Sequence, residues 1–233
     1  MSKEVVRKTP PSEREAEKST TIPLYTNPTL KQIVDQIPSY TANIEDINRI
    51  AREFGKRDYS KIKDRKKLMG IIAEYHLYYA LEKLKEIFPE INLSPIEDQA
   101  KRDGYKFQKQ GINYKAFWGQ NDDSCEYDIL SEIDRLPVIW EVKLGKLNGA
   151  TGNRRISTIL KPLMSYYRNN RFGYVIVAPG NFITPHPEFE ERGGLLVPFY
   201  VNQDKFADDI CSVPKPESVS RTIFDRKTRN VIT

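Results

Sequence analysis

The sequence predicts an α/β fold, a mixed β-sheet flanked by helices on both faces. The run YVIVA, Tyr174 to Ala178, is almost wholly β-branched and reads as a central strand buried on both sides. Two further apolar runs, in CEYDILSEIDRLPVIWEVKLG from Cys125 to Gly145, flank a polar turn as a hairpin would. Helical patterns stand before and after that hairpin. The resulting order of helix, three strands, helix and two strands suits a single mixed sheet with helical cover.

In chain order, residues 1–27 are polar, proline-containing and rich in both charge signs, which predicts a flexible arm. Two short helical patterns follow, Leu30 to Ile37 and Ile44 to Phe54, punctuated by Pro38 and Gly55. They form a helical N-terminal part, 28–59, of a domain spanning 28–204. A long helix is expected from Ser60 to Phe88, with Ser60 as N-cap and Pro89 just beyond its end. Its apolar face includes Leu68, Ile71, Ile72, Tyr75, Leu81 and Leu84. Ile112, Tyr114, Ala116 and Trp118 alternate as a strand or hairpin does. After the Cys125–Gly145 hairpin, a basic glycine-bearing loop leads into a helical stretch from Ile156 to Asn169. Pro162 there predicts a kink or a late helix start, because proline lacks the N–H that an interior turn needs. Leu195 to Val201 reads as a strand near a sheet edge, since Pro198 cannot donate to a ladder. Residues 205–233 form a tail without a clear pattern.

Composition narrows the function classes. The chain has 233 residues, 39% of them hydrophobic, enough for one substantial core. No apolar stretch approaches the roughly 20 residues that span a bilayer, and the first residues lack the apolar centre of a secretory signal. Two cysteines, Cys125 and Cys211, make neither a disulfide framework nor a metal cluster. A reducing, cytoplasmic location is expected. A formal charge of +5 leans towards an anionic partner such as nucleic acid, and a merely soluble basic surface accounts for it equally well. His76 and His186 share no zinc-ligand spacing, and no phosphate-cradling glycine loop followed by lysine and a hydroxyl is present.

The hairpin carries acids where a strand ordinarily wants apolar residues. Residues two apart in a strand share a face, so Glu141 and Lys143 point the same way, about 7 Å apart at their Cα atoms. Val142 and Leu144 then face the core. A hairpin centred on Asp134-Arg135 places Asp128 opposite Glu141, with β-carbons roughly 5 Å apart, and Glu126 opposite Lys143. Asp-Arg is not a favoured two-residue turn, and Pro137 stands close enough to shift the register. Two carboxylates that close repel each other, and a divalent cation between them reverses the sign of the interaction. Mg²⁺ prefers carboxylate oxygens and keeps several waters, which suits a site shared with a phosphate. A lysine beside such an ion can hold a water for attack on phosphorus.

These residues resemble the PD-(D/E)XK nuclease superfamily, the restriction-endonuclease-like fold. The strand acid matches Asp128 in EYDIL, the acid-x-lysine matches Glu141-Val142-Lys143 in WEVKLG, and a helical glutamate matches Glu74 in GIIAEYHLYYAL. The likeness covers about Ser60 to Val201. The tripeptides Asp64-Arg65-Lys66 and Asp225-Arg226-Lys227 share the acid-x-lysine spacing but lie in polar segments without a strand pattern. Tyr127 stands where the family name has proline. The resemblance implies a Mg²⁺-dependent endodeoxyribonuclease, with Mn²⁺ able to substitute, acting on double-stranded or branched DNA, and a homodimer for double-strand cutting. It implies metal ligation by Asp128, Glu141, the Val142 carbonyl and Glu74, and water activation by Lys143.

Lys146, Arg154 and Arg155, in the loop after the motif, and Lys161 beyond it are candidate phosphate contacts. Each residue also has a plainer reading. Glu141 and Lys143 suit an exposed strand pair, Asp128 a strand-terminal acid, Glu74 a helix-boundary acid, and the basic loop a solvated surface. The corresponding alternative for the whole chain is a catalytically inactive nucleic-acid-binding or protein-interaction module on the same fold.

Overall fold

A computed structural model describes residues 21–40, 42, 44–54, 65–119, 123–145, 147, 149–180, 183–199, 223–224 and 231–232. Helix α1 (Pro28–Gln36) starts where Asn27 Oδ1 accepts the Leu30 N–H at 2.6 Å and Pro28 supplies a first-turn residue that needs no donor. A 3₁₀ turn (Ile37–Ser39) and α2 (Ile44–Phe54) follow. The long helix α3 (Arg65–Leu84) is shorter at its C-terminal end than the apolar pattern implies, the chain turning on through Phe88. The expected N-cap Ser60 lies outside the described residues. The N–H of Ala42 donates to His76 Nε2 at 2.7 Å, tying the link between α1 and α2 to α3.

Among the described residues, two large sheets and a separate two-stranded pair are present where the sequence suggested one sheet. The first has five strands and is mixed. Strands β1 (Ile91–Asn92), β6 (Ile129–Ile133) and β7 (Leu136–Val142) pair antiparallel, while β8 (Gly173–Ala178) and β9 (Leu195–Pro198) continue in parallel. Helix α4 (Asn153–Tyr167) provides the crossover between β7 and β8. The second sheet is antiparallel, of order β2-β3-β4-β5, from β2 (Lys101–Arg102), β3 (Tyr105–Gln110), β4 (Asn113–Trp118) and β5 (Asp123–Tyr127). A short helix α5 (Pro187–Glu191) precedes β9, and β10 (Ile223–Phe224) pairs with β11 (Val231–Ile232).

Both faces of the mixed sheet are covered. On one, Leu30 and Ile33 of α1 and Ile72 and Leu81 of α3 pack against Val138, Trp140, Val175 and Val177. On the other, Ile156, Leu160 and Leu163 of α4 meet Ile139, Tyr174 and Ile176 together with Phe107 and Ala116 of the second sheet. All six residues of β8 are buried, which explains its continuous apolar run. Leu24 joins the core, its N–H donating to Arg192 O at 2.7 Å, so the segment just before α1 is docked on the domain.

Helix α4 begins earlier than Pro162 implied, and Pro162 sits buried in its interior. It lies beyond the first turn, so the N–H it lacks is one that an interior turn would use. Proline at such a position costs about 3 kcal/mol in an exposed helix.

Candidate active site

The hairpin register is the expected one. Ile129 pairs with Trp140 and Ile133 with Leu136, so Asp128 stands one step beyond the ladder, facing Glu141. Pro137 lies opposite Glu132 without shifting the pairing. The turn closes because Asp134 and Arg135 both take left-handed backbone angles, φ 49° and 65°, the geometry of the tight turn that matches strand twist. Thr29 Oγ1 donates to Asp134 Oδ2 at 2.6 Å and braces it.

Asp128 is where the chain leaves one sheet for the other. Tyr127 still pairs with Tyr114 in the antiparallel sheet, whereas Ile129 already pairs with Trp140 in the mixed one. Glu126 therefore does not face Lys143. It pairs with Lys115 of β4, because the sheet change carries everything before Asp128 away from β7.

Around this junction the expected residues gather in two groups. Asp128 Oδ2 accepts the N–H of Val142 at 2.8 Å, which sets the strand acid between Glu141 and Lys143. Lys143 Nζ lies 2.5 Å from Glu141 Oε1. Glu74 is more distant in its connections: its Oε2 accepts from Asn113 Nδ2 at 2.7 Å, and the same amide donates to the backbone carbonyl of Asp128 at 2.9 Å. Among the described residues, no group of three or more His, Cys, Asp or Glu is gathered closely enough to hold a metal ion.

Two unexpected neighbours define Glu141. Arg155 Nε donates to its Oε1 at 3.1 Å, with Nη2 on the same oxygen, and the hydroxyl of Tyr174 donates to Oε2. Arg155 and Arg154 belong to the first turn of α4, where they replace the expected basic loop, and both are exposed. Lys161 is exposed on α4, and Lys146 lies outside the described residues. Tyr174 was legible only as part of a buried strand. Its partner Ile139 shares the face of Glu141, which brings the phenol to the carboxylate.

The two acids sit in different electrostatic states. Glu141 is 4% exposed, and burial pushes its carboxyl up. The charge of Lys143 and the hydrogen bonds from Lys143, Tyr174 and Arg155 outweigh that, leaving it below the ordinary glutamate range. For Asp128, burial prevails over Lys143 and the Val142 N–H, and Glu141 adds repulsion, so its carboxyl is raised. Burial and the neighbouring Glu141 push the Tyr174 hydroxyl well up, which keeps it a donor.

Asp128 and Glu141 offer carboxylate oxygens, the donor type a hard cation takes, but among the described residues no third acid or histidine joins them in a metal-binding group. Asp128 spends one oxygen on a backbone N–H, and its raised carboxyl is in surroundings that a nearby positive charge would relieve. Glu141 already holds two cationic side chains, of which Lys143 is 29% and Arg155 46% exposed. A cavity of about 840 Å³ against the start of α4 and α5, lined by residues such as Gly152, Asn153, His186 and Arg192, includes none of these site residues in its wall.

No family model matches the chain, and no curated protein matches it. Among solved structures it is similar to protein VC1899 from Vibrio cholerae, at 11% identity and a TM-score of 0.33 over 63% of this chain. The match spans 34% of that chain, and at that score it carries no argument about fold or function. What stands is a mixed α/β architecture, with no helix among the described residues long and apolar enough to cross a membrane.

Proposed function

We propose that this protein is a metal-dependent nuclease that hydrolyses DNA phosphodiesters, on a restriction-endonuclease-like fold. The observation that supports it most is the hydrogen bond from Val142 N–H to Asp128, which brings the strand acid to the acid-x-lysine of β7. Asp128 and Glu141 would hold Mg²⁺ or Mn²⁺, with the Val142 carbonyl and Glu74 completing the set. When bound, the ion would offset the repulsion between the acids and polarise a phosphate oxygen. Lys143 Nζ, already beside Glu141, is the donor that orients the attacking water and steadies charge developing on the phosphate. Tyr174 fixes the Glu141 carboxylate from the core side, and Arg155 is positioned to exchange that carboxylate for a phosphate oxygen. Arg154, Lys161 and Lys146 are further phosphate contacts in the same proposal, and double-strand cutting would need a second copy of the chain.

A second reading is favoured by the full engagement of Glu141 by Lys143, Arg155 and Tyr174. On it the cluster is structural, and the protein binds nucleic acid or another protein without cutting.

Incubation of the full chain with plasmid and branched DNA separates the two. Under the nuclease proposal, Mg²⁺ or Mn²⁺ supports nicking, EDTA stops it, and Glu141→Ala and Lys143→Ala each lower the rate at least about 10²-fold. Absence of metal-dependent cutting by the wild-type chain would leave the structural reading standing.

A further inference from the structure

The antiparallel sheet turns one face to α4 and its core. The opposite face consists of three cross-strand rows read directly from the pairing. The first row is Lys101, Lys106, Phe117 and Ser124. Gln108, Lys115 and Glu126 form the second, and Gln110 and Asn113 the third. Lys101, Lys106, Ser124 and Glu126 are exposed, while Gln108, Gln110, Lys115 and Phe117 are half-buried. Lysines outnumber the acid, Glu126, on these rows. Lys115 Nζ lies 4.9 Å from the centre of the Phe117 ring, setting a positive charge beside a part-exposed aromatic plane.

The rows lead to the candidate active site. Asn113, in the third row, donates to both Glu74 and the carbonyl of Asp128. Along β4, Phe117 stands four residues from Asn113, about 13 Å at strand spacing. Asn113 is itself buried, so the exposed part of the face ends one row short of the junction at Asp128.

We infer that this face binds single-stranded DNA. Lys101, Lys106 and Lys115 contact successive phosphates, and Phe117 stacks on an unpaired base. Stacking needs a base freed from its duplex, which is why the occupant is a single strand. The glutamines Gln108 and Gln110 offer neutral donors between the charges and tolerate any sequence. The inference rests on the proposal that DNA is the substrate, and it adds a surface that holds a single-stranded segment beside the junction at Asp128.

The test measures fluorescence anisotropy of a labelled oligothymidine with the full chain in EDTA, so that cutting plays no part. Phe117→Ala is expected to weaken binding by about tenfold or more, and Phe117→Trp to retain it. Lys106→Gln and Lys115→Gln should each weaken binding and lower the slope of log affinity against log salt by about 0.7. Near-UV circular dichroism checks that the variants are folded, and the lysine variants carry the test if Phe117→Ala is not. Wild-type affinity in all the lysine variants would overturn the inference. So would a preference for duplex DNA or for the matching RNA strand. A chain that binds as described but never cuts sinks the nuclease proposal alone. One that cuts normally while these variants bind and cut as wild type sinks this inference alone.

Discussion

At the scale of single residues, the two acids are expected to pull stability in opposite directions. Asp128 has a raised carboxyl because burial disfavours its charge, so its ionised form costs stability once pH rises through that raised value. Asn at this position keeps an oxygen for the Val142 N–H and loses the charge. Asp128→Asn should therefore raise the thermal midpoint of the metal-free protein at neutral pH, with the gain vanishing in acid, where Asp128 is protonated in both folded and unfolded chains. Glu141 has the opposite sign. Its carboxyl is lowered, so its contribution is present above the ordinary glutamate range and is lost as pH falls through the lowered value. Glu141→Gln should cost about 1.5–3 kcal/mol at neutral pH, the range for hydrogen bonds to a charged group. Melting curves of both variants across pH check this pair, and a loss of stability in Asp128→Asn at neutral pH would refute it. Asp128, Glu141 and Lys143 were legible because three charges interrupt apolar runs at strand spacing. Tyr174 and Asn113 were not, since a tyrosine in an aliphatic strand and an asparagine at a strand start signal nothing until pairing sets them beside a carboxylate.

At the scale of elements, the β6–β7 hairpin was readable from its centre outward, because side-chain alternation fixes which register buries Val138 and Trp140. The turn itself was not. Asp134 and Arg135 both adopt left-handed backbone angles that glycine reaches without strain, and the hairpin tolerates them because the strands on either side are buried. Arg135→Gly should consequently stabilise the protein by about 1 kcal/mol, the usual cost of a non-glycine residue in that region. Asp134 is better left unchanged, since it accepts from Thr29. Urea unfolding is the measurement, with the midpoint rising and the slope unchanged. A fall in midpoint would mean that Arg135 makes a contact worth more than the strain it carries.

At the scale of the whole molecule, the sequence concealed the division into two sheets. The run from Cys125 to Ile133 has no glycine or proline to mark a break, and its apolar pattern continues through the point where the chain changes partners. Only long-range pairing, which no local pattern records, decides that Tyr127 and Ile129 belong to different sheets. The junction is held by Asn113, which is 3% exposed and joins β4 to Glu74 of α3 and to the backbone of Asp128. One side chain thus connects the antiparallel sheet, the hairpin and the helix on the far face of the mixed sheet. Asn113→Ala removes the donor from both oxygens, a loss of about 1–3 kcal/mol for buried acceptors. If the two sheets form one cooperative unit, urea unfolding of this variant followed by tryptophan fluorescence should remain a single transition at a lower midpoint. Trp118 lies in the antiparallel sheet and Trp140 in the mixed one, so separate variants at each tryptophan report the two sheets independently. Coincident transitions from both reporters are expected, and under the nuclease proposal cleavage should fall with the loss of Asp128 support. Transitions that separate would show that the sheets unfold independently and that Asn113 does not couple them.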